Sequence, residues 1–111
     1  MMVDLKELLR KMNDQRYGNY LDYVYINRKT GPIGIRQFAK FLKELGVSPI
    51  EVPGKEIDLP YEHPGFRTGL YSCPNTVLNW KPGDVKRFRI CTPGWRLEDE
   101  QISPIEVYPV D

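Results

Sequence analysis

Residues 76–95, TVLNWKPGDVKRFRICTPGW, constrain the fold more than any other stretch, because they hold both tryptophans and the strongest strand signals. Lys81-Pro82-Gly83-Asp84 is turn chemistry: proline presets one dihedral and glycine is able to take positive φ. The turn divides an apolar run at 76–80 from VKRFRIC at 85–91, which predicts a β-hairpin. In the second run Phe88 and Ile90 share one face while Val85, Arg87 and Arg89 share the other, the period-2 pattern of a half-buried strand. The remaining segments have to pack on this hairpin.

Two of those segments have helical spacing. In residues 4–13, DLKELLRKMN, the apolar side chains Leu5, Leu8, Leu9 and Met12 fall at i, i+3, i+4 and i+7, with Asp4 placed to cap and Glu7 three residues on. In residues 35–45, IRQFAKFLKEL, Ile35, Phe38, Leu42 and Leu45 line one side and Phe41 flanks it; Arg36, Lys40, Lys43 and Glu44 face water, and Gly46 stands where a helix stops. The end of this run lacks helix-turn-helix spacing: Ala39 and Gly46 are seven apart, and Pro53-Gly54 would break a following helix. Residues 17–26, YGNYLDYVYI, fit either a helix or a strand, and their density of Tyr, Val and Ile favours a strand.

Residues 48–69 contain Pro49, Pro53, Pro60 and Pro64 without sustained periodicity, which predicts an extended, surface-wrapping segment with one edge strand near 55–59. After the hairpin comes an acidic turn, Glu98-Asp99-Glu100, and a last strand at 102–110, in which Pro104 and Pro109 favour a sheet edge. The expectation is a single α+β domain of 111 residues: two short helices on one face of a small, mainly antiparallel sheet or partly open barrel. Its parts are a helical and hairpin region 1–47, the proline-rich segment 48–69 and a β-rich region 70–111.

Charge is segregated along the chain although it nearly cancels. Residues 1–50 hold nine Lys/Arg against five Asp/Glu, 51–66 one against four, 67–96 six against one, and 97–111 none against five, for a net charge of +1. Acidic and basic strands lying side by side would neutralise each other across a sheet; alternatively the 67–96 block forms a basic surface for an anionic partner. With no run of roughly 18 apolar residues the chain lacks a transmembrane helix. The N-terminus lacks the basic region, apolar core and small-residue site of a signal peptide. The expectation is an intracellular, cytoplasmic protein with reduced cysteines.

Chemistry-bearing residues are sparse. His63, Cys73 and Cys91 are the only histidine and both cysteines, each near a proline, and three such side chains with Glu62 or Asp84 would suit zinc. Their spacings lack the close pair that makes a zinc motif specific, so a disulfide or two buried thiols stay open as readings. No convergent acid, base and nucleophile is legible, nor a phosphate-binding glycine loop; a non-catalytic role is favoured over an enzyme, and no cofactor is expected. Trp80, Lys86, Arg87, Arg89 and Trp95 interleave basic and aromatic character, as a single-stranded nucleic-acid surface would. Phe88, pointing away from Arg87 and Arg89, interrupts such a platform.

Three functional expectations follow. The first is a non-catalytic small subunit or accessory protein that binds other protein chains in a larger assembly, a second copy included. Its candidate contacts are Tyr20, Tyr23, Tyr25, Pro53, Pro60 and Tyr61, since tyrosine and stiff extended backbone lose little entropy on binding. The second is a nucleic-acid-binding accessory protein using Trp80, Lys86, Arg87, Arg89 and Trp95. A small enzyme or metal-site protein is the third.

Overall fold

The computed structural model describes residues 4–73 and 80–110. In chain order the elements are α1 (Leu5–Met12), a 3₁₀ turn (Gln15–Tyr17), α2 (Tyr20–Ile26), α3 (Ile33–Glu44), β1 (Val47–Pro49), β2 (Glu56–Pro60) and the single turn α4 (Gly65–Thr68). β3 (Tyr71–Ser72), β4 (Val85–Thr92), β5 (Trp95–Leu97), β6 (Glu100–Ser103) and β7 (Ile105–Pro109) complete the order. The fold is α+β with two sheets, ordered β1-β5-β6 and β2-β4-β7-β3. Two compact units hold them: Met1–Ser48 with Arg96–Ser103, and Pro49–Trp95 with Pro104–Asp111.

In the first unit the stripe Leu5, Leu8, Leu9, Met12 does form a helix, and the Asp4 carboxylate accepts the Lys6 N–H at its start, 3.0 Å. Leu9 is the buried member of the stripe; α1 packs on β6 and α2, and Lys6 pairs with Glu100 of β6. α3 begins two residues before the expected start, and the Gly46 N–H bonds the Lys43 carbonyl just past its end, a common helix stop. Leu42 is the residue α3 buries most deeply.

Residues 17–26 are not a strand. They form the end of the 3₁₀ turn and α2, because helical spacing puts Leu21 and Val24 together on the buried side, whereas strand alternation would have buried Tyr23 and Tyr25 with Leu21. The Asn19 side chain makes no cap bond; Asn13 Oδ1 instead accepts the Asp22 N–H in the first turn, 3.1 Å. That acceptor lies nine residues upstream, where local propensity does not register it.

In the second unit β4 is the central strand. Phe88 and Ile90 point inward, and Val85, Arg87 and Arg89 outward, as their spacing predicts. The turn before it forms too: the Asp84 N–H donates to the Lys81 carbonyl and the Asp84 carboxylate accepts the Lys81 N–H. β4 has β2 on one side and β7 on the other. Apart from Trp80, the expected first hairpin strand at 76–80 lies outside the described residues. Leu59, Phe88, Ile90, Ile105 and Val107 are the core of this sheet.

The acidic and basic segments meet across it. β2 and β4 are antiparallel with Glu56 opposite Arg89 and Asp58 opposite Arg87, and both pairs close as ion pairs at 3.4 and 3.1 Å. The expected edge strand near 55–59 is β2. A bulge at Cys91 shifts the β4–β7 register between Ile90 and Thr92.

The last strand differs from the expectation. Residues 102–110 are not one edge strand: Pro104 separates β6 from β7, which lie in different sheets, and β7 is an interior strand between β4 and β3. A proline between two strands leaves no ladder donor missing, and the next N–H, of Ile105, bonds the Leu70 carbonyl at 2.8 Å.

Candidate functional site

Folding residues 20–26 as a helix changes what their tyrosines do. With Leu21 and Val24 inward, Tyr20 and Tyr23 fall one helical turn apart on the outer side, and their rings stack at 6.1 Å. Tyr20 also meets Phe38 of α3 at 6.0 Å, and Phe38 meets Phe41 at 6.1 Å. The result is a ridge of four rings, Tyr23–Tyr20–Phe38–Phe41, running across α2 and α3. Tyr20, Tyr23 and Phe41 keep 37, 47 and 51% of their surface exposed. Beside it, a hollow of 460 Å³ is lined by Leu8, Lys11, Met12, Tyr17 and Tyr20. Tyr25 sits apart, half-buried, with the Arg28 guanidinium 3.8 Å over its ring.

This ridge joins two of the expected contact residues to two that helical spacing had assigned to α3's core side and its flank. Phe38 is half-buried rather than buried, because it packs on the exposed Tyr20 ring. The other expected contacts lie in the second unit. Pro53 and Pro60 are half-buried, and Tyr61 is exposed with its ring edge-on to Trp80 at 5.2 Å.

The second unit has an aromatic cleft of 730 Å³ whose lining includes Tyr61, His63, Phe66, Tyr71, Cys73 and Trp80. Trp80 stands nearly perpendicular to Tyr61 and Phe66 and steeply tilted to Phe88, with centroids 5.2 to 5.3 Å apart. Its Nε1–H is buried without a hydrogen-bond acceptor among the described residues. The His63 Nδ1 accepts the Gly65 N–H at 2.9 Å, and its ring stands edge-on to Phe66 and Tyr71, so the imidazole is built into the packing of α4 on β3.

The residues proposed for metal do not converge. His63 and Cys73 line this cleft, whereas Cys91, at the β4 bulge, lines a separate depression with Arg89, Tyr108 and Val110; no disulfide joins the cysteines. Among the described residues no group of three His, Cys, Asp or Glu side chains is placed to hold a metal ion. The residues proposed for nucleic acid do not form an open platform either. Trp95 is 4% exposed, Trp80 is enclosed by rings, Lys86 is half-buried, and Arg87 and Arg89 face Asp58 and Glu56.

Burial, reinforced by the charge of Glu51, raises the Tyr71 phenol above its ordinary value; burial first, with the Cys91, Glu106 and Cys73 charges, does the same for Tyr108. A raised folded-state value means that the folded chain keeps its proton where the unfolded chain has lost it. The stability these phenols contribute is therefore complete below pH about 10 and is lost as pH rises through their folded-state values. The thermal midpoint is expected to fall above pH about 10. Tyr71→Phe/Tyr108→Phe is expected to flatten that fall, and an equally steep decline in the double variant would refute it.

No helix among the described residues is long and apolar enough to cross a membrane. Compared with family models, curated proteins and solved structures, the chain finds no match.

Proposed function

We propose that this chain is a non-catalytic accessory subunit that binds another protein through the α2–α3 face. The observation that carries this reading is the ridge Tyr23–Tyr20–Phe38–Phe41, in which rings from two helices pack into one partly exposed surface. Aromatic side chains exposed together are enriched at protein interfaces, because each brings a large rigid area with few rotamers to immobilise. Leu8 and Tyr17, also exposed, extend the apolar surface toward α1. Such a surface needs no acid, base or nucleophile.

The test is affinity capture with the full chain and with Tyr23→Ala and Phe41→Ala, followed by titration of whatever binds wild type stoichiometrically. Each substitution is expected to weaken binding about 30-fold, the size of an interface hot spot. Because these rings are about half exposed, the thermal midpoint is expected to stay within about 4 °C of wild type. Unchanged binding by both variants would refute the reading. So would a midpoint loss above about 10 °C, which would assign the rings to the core.

A further inference from the structure

Half of the ten Lys and Arg residues of the first unit lie in one acid-free stretch. Residues 23–43 contain five cations, Arg28, Lys29, Arg36, Lys40 and Lys43, and no carboxylate. All five line a groove of 580 Å³ between the turn after α2 and the outer side of α3. None of them forms an ion pair among the described residues. Arg87 and Arg89, by contrast, each face a carboxylate across the β2–β4 ladder.

The groove is also partly preorganised. Arg28 Nη1 donates to the Tyr25 carbonyl at 2.8 Å, and Arg36 Nε donates to the Gly31 carbonyl at 3.0 Å. These bonds hold two guanidinium groups in place without neutralising them, which lowers the entropy lost on binding an anion. Arg36, Lys40 and Lys43 follow at i, i+4 and i+7, a row about 10 Å long on one side of α3. Ile33, 64% exposed, and Ala39 supply apolar surface in the same groove.

We propose that this groove binds an acidic, amphipathic segment of the partner protein. Carboxylates one helical turn apart would meet the Arg36–Lys40–Lys43 row, with an aliphatic side chain of the same segment on Ile33. Charge complementarity requires an anionic occupant, and the lining favours a peptide over nucleic acid: it holds no aromatic ring on which a base would stack, whereas it exposes a β-branched aliphatic side chain. The inference rests on the protein-binding reading above and gives the partner its chemistry, since ridge and groove share α3.

The probe is a fluorescein-labelled 15-residue peptide with Glu and Leu at helical spacing, titrated by anisotropy against the full chain at 50 and 300 mM salt. A Gln-for-Glu peptide and a thymidine 15-mer run in parallel. The acidic peptide is expected to bind at least tenfold tighter than either control and to weaken with salt. Lys40→Glu/Lys43→Glu is expected to lose at least tenfold, and Lys40→Gln/Lys43→Gln less, with unchanged circular dichroism. Lys81→Glu/Arg67→Glu, which changes net charge equally, is expected to stay within about twofold of wild type. The groove assignment is overturned if the acidic peptide does not bind, if the oligonucleotide binds as well, or if both charge-reversed chains lose affinity equally. Salt-sensitive self-association abolished by Lys40→Glu/Lys43→Glu would overturn it in favour of a second copy. These outcomes are separate from those at Tyr23 and Phe41, so a failure of the groove is distinguishable from a failure of the ridge.

Discussion

Phe88→Ala is expected to lower folding stability by about 4 kcal/mol, close to the whole margin of a marginally stable small protein. The Phe88 ring is 0% exposed on the central strand of the four-stranded sheet, 5.2 Å from the Trp80 ring and 6.2 Å from Phe66. Truncation removes its buried area and also its ring contacts, and the backbone around it is held on both sides by β2 and β7, so the cavity has little means of closing. In urea the midpoint of unfolding is expected to fall by about 2 M, taking a slope of roughly 2 kcal/mol per M. Phe88→Leu, which keeps most of the volume, is expected to lose only about 1.5 kcal/mol. A loss below about 1 kcal/mol for the alanine variant would contradict the core position assigned to Phe88.

The inward face of β4 was legible in the sequence because alternation is a local property: each side chain's direction follows from its neighbour's. The same holds for the Leu9 stripe of α1 and for Leu42 of α3. Block counting of charge gave the β2–β4 pairing its rationale, and the register places Glu56 and Asp58 opposite Arg89 and Arg87. Residues 17–26 were misread because their β-branched and aromatic content is a weak preference that burial overrides. What decided the matter was the burial of Leu21 and Val24 and the Asn13 side chain reaching Asp22, neither of which has a local signal. Pro104, which has no N–H to place, is met by a break between two sheets rather than by an edge, whereas Pro109 ends the interior strand β7 opposite Phe88 and not at the edge its missing donor favoured.

The candidate surfaces were legible to different degrees. Tyr20 and Tyr23 stood out by composition, but their joining to Phe38 and Phe41 depends on α2 packing on α3, which spacing alone did not determine. The basic groove was hidden by summation: counting residues 1–50 together mixes the acidic residues of α1 and α2 with the acid-free run 23–43. That run was visible, and it becomes a site because the turn carrying Arg28 and Lys29 folds beside the outer row of α3.

Gly94→Ala is expected to cost about 3 kcal/mol, through contact more than through backbone conformation. Gly94 is buried with φ of +67°, and a Cβ there would lie 2.9 Å from the Ile105 nitrogen, 3.2 Å from its Cα and 2.7 Å from its Cγ1. Two of those three atoms are backbone, so a change of rotamer does not relieve the clash. Ile105 is itself fixed, buried at the start of β7 with its N–H on the Leu70 carbonyl. Nor is Gly94 able to withdraw easily, because its carbonyl accepts the Ile50 N–H at 2.9 Å and the preceding Pro93 carbonyl accepts the Glu51 N–H. Gly54→Ala separates the two contributions: φ there is +88°, yet nothing lies within 4 Å of the added carbon. Its cost is expected to be only the left-handed penalty of about 1 kcal/mol. The difference of about 2 kcal/mol is then the overpacking of Gly94 against β7. Guanidinium unfolding of the two variants side by side measures it, and equal losses would show that β7 yields to the added methyl group and that the close approach of Gly94 to Ile105 is not what holds this corner of the sheet.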